Sequence, residues 1–128
     1  MKSSFLIADD STGKRDFLHF LVKKEMPGAN ILLATTTEES INVIDAHPDI
    51  QFAFIDYEIP LKNGPFIIKY LKGKNPNAHI ALVTSADSDD YREKAQLAGS
   101  EAFVCTSNHE DQVLRELSDL LLQWRRSL

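Results

Sequence analysis

Phe52-Ala53-Phe54-Ile55-Asp56-Tyr57-Glu58-Ile59-Pro60-Leu61-Lys62-Asn63-Gly64 is the stretch whose reading decides the fold. It opens as an apolar run of the kind a strand buried on both faces needs, and the run stops on a carboxylate, Asp56. A loop follows with Pro60 and an Asn63-Gly64 turn, and a helix-like pattern resumes at Pro65. A carboxylate where a buried strand ends is costly to place. In an open parallel sheet that edge is also where ligands bind. Asp56 is therefore the first residue to suspect of chemistry.

The same grammar repeats on both sides of this stretch. Phe5-Leu6-Ile7-Ala8 reads as a strand ending on Asp9-Asp10, with Ser11 or Thr12 capping a helix that carries Phe17, Leu18, Leu21 and Val22 and ends at Pro27-Gly28. Asn30-Ile31-Leu32-Leu33-Ala34 reads as a second strand. Thr36 or Thr37 caps the next helix, with Glu38 and Glu39 where the helix dipole favours negative charge. The third strand is Phe52 to Asp56, and its helix runs from Pro65 to a stop at Gly73. The fourth strand, His79-Ile80-Ala81-Leu82-Val83, ends on Thr84-Ser85, and Asp87 or Ser88 caps a helix through Tyr91, Ala95 and Leu97 to Gly99. The fifth strand, Ala102-Phe103-Val104-Cys105, ends on Thr106-Ser107, and a last helix carries Val113, Leu114, Leu117, Leu120, Leu121 and Trp124. Five alternations of short apolar strand and amphipathic helix predict an α/β, doubly wound, five-stranded parallel sheet with helices on both faces. Right-handed crossovers then bring the strand C-terminal ends to one edge.

Composition bounds the function. At 128 residues, with 43% hydrophobic content, residues 1–128 are expected to form a single domain. A net charge of −5 argues against a general nucleic-acid binder. The single cysteine, Cys105, suits a reducing compartment and reads as a small buried hydrophobe. Met1-Lys2-Ser3-Ser4 and the short run after it are too brief for a signal-peptide core or a membrane span, so a cytoplasmic protein is expected. His19, His47, His79 and His109 show no metal-ligand spacing. The surplus of apolar residues at Leu120-Leu121-Leu122 and Trp124 is expected to be core, and any excess would seat a homodimer partner or a kinase helix.

At the common edge the strand ends deliver Asp9-Asp10, Asp56, Thr84-Ser85 and Thr106-Ser107. Taken singly, an aspartate after a strand is a turn former or a cap. Taken together, three carboxylates repel unless a cation or a proton intervenes. Mg²⁺ prefers oxygen ligands and works beside phosphates. Beside it an ionised Asp56 could attack a phosphoryl group, and Thr84 could bond a phosphoryl oxygen afterward.

These residues, in this order, resemble the receiver domain of two-component response regulators, the CheY-like family, over essentially the whole chain. Asp9-Asp10 resembles the family's acidic pair. Asp56, Pro60 and Asn63-Gly64 resemble its D-x-x-x-P-x-x-N-G signature, and Val83-Thr84-Ser85-Ala86 its fourth-strand hydroxyl motif. The resemblance implies a flavodoxin-like strand order 2-1-3-4-5. It implies that Asp56 accepts a phosphoryl group from a histidine kinase or phosphotransfer protein, and that output is altered binding to a downstream protein. It implies Mg²⁺ held by Asp10, Asp56 and the backbone carbonyl of Glu58, with Asp9 acting through a water. Thr84 would bond the phosphoryl group, and Phe103 would stand at the switch aromatic. No enzyme activity beyond self-catalysed phosphoryl acceptance is expected, and neither direct nucleic-acid binding nor a membrane role.

One position departs from the family. Its fifth strand normally ends on a lysine, and here Thr106 stands in that place. A threonine supplies no charge. Lys62, in the loop after Asp56, is the candidate replacement, the alternative being that it points to solvent. The departure motivates a second reading, a phosphorylation-independent docking or dimerisation module. An aspartate-nucleophile phosphatase (from Asp56-Tyr57-Glu58) and an FMN carrier fit less well, the latter because its first loop should cradle phosphate.

Overall fold

The computed structural model describes residues 3–128; Met1 and Lys2, part of the stretch read above as too brief for a signal-peptide core or a membrane span, lie outside the described residues. Five strands and five helices alternate: β1 (Ser4–Ala8), α1 (Thr12–Glu25), β2 (Asn30–Ala34), α2 (Thr37–Ala46), β3 (Ile50–Ile55), α3 (Gly64–Lys74), β4 (His79–Thr84), α4 (Asp89–Ala98), β5 (Ala102–Cys105) and α5 (Glu110–Arg125). The sheet is wholly parallel, in the order β2-β1-β3-β4-β5. The expected class and strand order are those observed.

Strand alternation sorts the side chains into two cores. Phe5, Ile7, Phe52, Phe54, Ala81 and Val83 face α1 and α5 and pack on Leu18, Val22, Leu117 and Trp124. Leu6, Ala8, Ala53, Ile55, Ile80 and Leu82 face the other way, onto Ile44, Ile67, Leu71 and Ala95 of α2, α3 and α4. The middles of β1, β3 and β4 are apolar on both faces because each face carries a helix layer.

Local chemistry sets the helix boundaries. Ser11, Thr36, Asn63 and Ser88 each accept a hydrogen bond from a backbone N–H in the first turn of the helix that follows. Gly99 ends α4 at φ 120°, a backbone geometry that favours glycine. Several boundaries differ from expectation by one or two residues, among them those of β3, β4 and α3. β3 begins at Ile50 and stops at Ile55, so Asp56 is the first residue past the strand. β4 includes Thr84, and α3 runs through Gly73 to Lys74, with Asn75 as its cap. Of the apolar residues of α4, Ala95 is buried and Leu97 is 80% exposed. Of the apolar surplus at the end of α5, Leu121 and Trp124 are buried in the core, and Leu120 and Leu122 are half-buried. Among the described residues no helix is long and apolar enough to cross a membrane.

Candidate phosphoacceptor site

The register of the sheet builds the site. Ala8 pairs with Ile55, so the residues that follow, Asp9 and Asp56, leave neighbouring strands side by side. Alternation continues past the strand ends. Asp9 follows Phe5 and Ile7, Asp56 follows Phe52 and Phe54, and both are aimed at the α1 side of the sheet. Backbone bonds hold the rim: Asp9 N–H donates to the Ala34 carbonyl at 2.9 Å, Asp56 N–H to the Ala8 carbonyl at 2.9 Å, and Thr106 N–H to the Thr84 carbonyl at 2.8 Å. Gly64 is required behind Asp56, because a Cβ there would run into the Asp56 carbonyl oxygen.

The result is a cleft of about 660 Å³ lined by Asp9, Asp10, Lys14, Asp56, Thr84 and Thr106, among others. Asp9 is buried, Asp56 half-buried and Asp10 exposed. Each offers one carboxylate oxygen, and these oxygens lie within 4.8 Å of one another. Asp9 Oδ1 accepts the Ser11 N–H at 2.9 Å. Asp9 Oδ2 is buried and faces the Lys14 ammonium at 2.9 Å. An all-oxygen, multiply anionic set gathered this closely fits a hard divalent cation such as Mg²⁺. Glu58 also lines the cleft, and its side chain accepts a hydrogen bond from the Tyr91 hydroxyl at 3.1 Å. Thr84 is buried at the rim, and its Oγ1 accepts the Ala86 N–H at 3.4 Å.

The positive charge in this site comes from an unforeseen place. Lys14, in the first turn of α1, reaches inward until its Nζ lies 2.9 Å from Asp9 Oδ2 and 3.2 Å from Asp56 Oδ1. It also donates to the Val83 carbonyl at 2.6 Å. Lys62 does not substitute for the missing lysine. It is exposed, with its ammonium 5.0 Å from the centre of the Phe66 ring. Thr106 lines the cleft as a neutral hydroxyl. Burial pushes the Asp56 carboxyl above the usual carboxylate range; Lys14 pulls it back and the Asp9 charge pushes it further up. Phe103 is half-buried on β5 with the Arg92 guanidinium 4.2 Å from its ring centre.

Lys14 could have been suspected from sequence on one ground. It follows the acidic pair by four residues and sits where a helix dipole disfavours a cation. That signal is weak until the tertiary structure shows the acids beside it.

Residues 5–118 match the family described as Response regulator receiver domain. Among curated proteins the chain is 23% identical over 123 residues to the chemotaxis protein CheY of Halobacterium salinarum, covering 94% of this chain and 98% of that one. A 20% identical relative, a glycerol metabolism activator of Pseudomonas putida, is matched over 52% of its length. Many solved structures share the fold. A CheY-like receiver domain protein from Methanospirillum hungatei gives a TM-score of 0.75 at 19% identity, with both chains fully covered. A chain of the CheX-CheY-BeF₃-Mg²⁺ complex from Borrelia burgdorferi gives 0.76 at 20% identity, covering 92% of this chain and 88% of that one. With the acid cluster at the carboxyl edge of a 2-1-3-4-5 sheet and a family match spanning most of its length, the chain belongs to the response regulator receiver domains of two-component signalling.

Proposed function

We propose that the protein accepts a phosphoryl group on Asp56 from a histidine kinase or phosphotransfer protein and signals by altered binding to a downstream protein. The observation that carries this reading is the placement of a half-buried carboxylate just past β3, in an open cleft with the oxygens of Asp9 and Asp10. An Asp56 oxygen forms the new bond to phosphorus, and the bond from phosphorus to the donor's leaving group breaks. Asp10, Asp56 and the Glu58 backbone carbonyl would hold Mg²⁺, with Asp9 acting through a water. When bound, the ion would neutralise charge on the phosphoryl oxygens. The Thr84 hydroxyl would bond a phosphoryl oxygen of the product. The step is stoichiometric self-modification, in a protein we place in the cytoplasm.

The docking-module reading rested on the missing lysine, and the ammonium of Lys14 in the cleft removes its main support. Incubation with acetyl phosphate and Mg²⁺ is expected to add a single phosphoryl group by intact mass, and Asp56→Asn to add none. A wild-type protein that gains no mass from acetyl phosphate, phosphoramidate or a histidine kinase sinks the proposal.

A further inference from the structure

We propose that Lys14 supplies the fixed positive charge of this phosphorylation site, taking from helix α1 the part that Thr106 cannot play from β5; this rests on phosphoryl acceptance at Asp56. Three features point there. The ammonium has three N–H donors and three acceptors around it: Asp9 Oδ2, Asp56 Oδ1 and the Val83 carbonyl. The side chain is only 14% exposed, and lysines are rarely buried to this extent without charged partners. Lys14 is also the third residue of α1, where the positive end of the helix dipole disfavours a cation, so the carboxylates hold it against the local preference.

The geometry assigns it two roles. In the resting site, its contact on Asp56 falls on Oδ1, which also accepts the Tyr57 N–H at 2.8 Å. Oδ1 is thereby fixed, and Oδ2 is left for an incoming phosphorus atom. During transfer from acetyl phosphate, Oδ2 forms the bond to phosphorus, the phosphorus–oxygen bond to acetate breaks, and acetate leaves with the electron pair. The ammonium, already at the acid pair, meets the charge of the transferred group. Because the same ammonium occupies carboxylates that fit a divalent cation, it also lowers the affinity of the empty site for that cation.

The test compares wild type, Lys14→Met, Lys14→Arg and Lys62→Met. Mn²⁺ binding is read by electron paramagnetic resonance without phosphodonor. The rate of Asp56 modification by acetyl phosphate at saturating Mg²⁺ is read by intact mass. Lys14→Met is expected to bind Mn²⁺ at least about threefold more tightly, through removal of a competing charge. It is expected to be modified about 10- to 100-fold more slowly. Lys14→Arg is expected to recover part of the rate, and Lys62→Met to stay within about twofold of wild type in both readouts. Tighter Mn²⁺ binding shows that the acid cluster of Lys14→Met is folded, so slow modification is then not a folding defect. A Lys14→Met protein modified at the wild-type rate, or one with weakened Mn²⁺ binding, overturns the assignment while leaving Asp56 as phosphoacceptor. A wild-type protein that is never modified removes both proposals.

Discussion

Asp56 and Lys14 face the same physical problem from opposite signs. A carboxylate half-removed from water prefers to be neutral, and an ammonium in that place needs anionic partners. Pairing eases both, but burial is the larger influence and Asp56 stays above the ordinary carboxylate range. As pH rises, the unfolded chain therefore gives up this proton first. The destabilisation begins near the ordinary value of 3.8 and is complete once pH exceeds the raised folded-state value. Asp56→Asn, which mimics the neutral acid, is expected to raise the melting temperature at neutral pH. The gain should shrink as pH falls through that window, and parallel thermal melts across it check this. A variant that melts lower than wild type at neutral pH would contradict it. At the same scale, Thr106 lines the cleft across from α1, so Thr106→Lys in the Lys14→Met background is expected to restore much of the lost modification rate, measured by intact mass with acetyl phosphate.

At the scale of elements, the site depends on what two loops allow. The β3–α3 loop folds back closely enough that Gly64 N–H donates to the Tyr57 carbonyl at 2.8 Å. A methyl group at Gly64 has nowhere to go except into the Asp56 backbone and the Leu82 side chain. Gly64→Ala is expected to lower unfolding stability by about 1–3 kcal/mol, as overpacking does, and to slow phosphorylation by displacing Asp56. Urea titration and the mass assay read the two effects separately. On the far side, Tyr57 stacks on Tyr91 of α4 with ring centres 3.5 Å apart, and the Tyr91 hydroxyl reaches Glu58. The residue after the phosphoacceptor is thus in direct contact with α4. Tyr91→Ala is expected to break this contact, and hydrogen exchange in α4 should then respond less to beryllofluoride than in wild type.

Across the whole molecule, the two cores are separate in space but joined through one sheet. Trp124 closes the α1–α5 side, with Phe5, Phe52 and Phe54 within 6 Å of its ring. Its indole N–H donates to Glu101 Oε2 at 3.1 Å. Phe5 and Phe52 lie toward the start of their strands, whereas the acid cluster lies past the ends. Stability and chemistry are therefore separable along the strand axis. Trp124→Ala is expected to cost about 3–5 kcal/mol in urea unfolding. The protein that remains folded should still be modified at the wild-type rate. Loss of modification in that folded fraction would show that the two ends are coupled.

Much of this protein is legible in its primary structure. Strand runs between amphipathic helices determine a doubly wound parallel sheet, because only helix layers on both faces can cover strands with no polar side. Asp9, Asp10, Asp56 and Thr84 are legible as one site because each lies at or just past the end of a strand, and parallel topology sends strand ends to a common edge. Leu97 lies within α4 as read, but its exposure was not legible, because helical spacing alone does not say how wide a stripe the neighbours cover. The origin of the positive charge was decided only in three dimensions. Lys62 is near Asp56 in sequence but lies over Phe66, whereas Lys14 is distant in sequence and bonds to it. Strand alternation turns both acids toward α1, and that tertiary fact makes a helix lysine the partner of a strand-end aspartate.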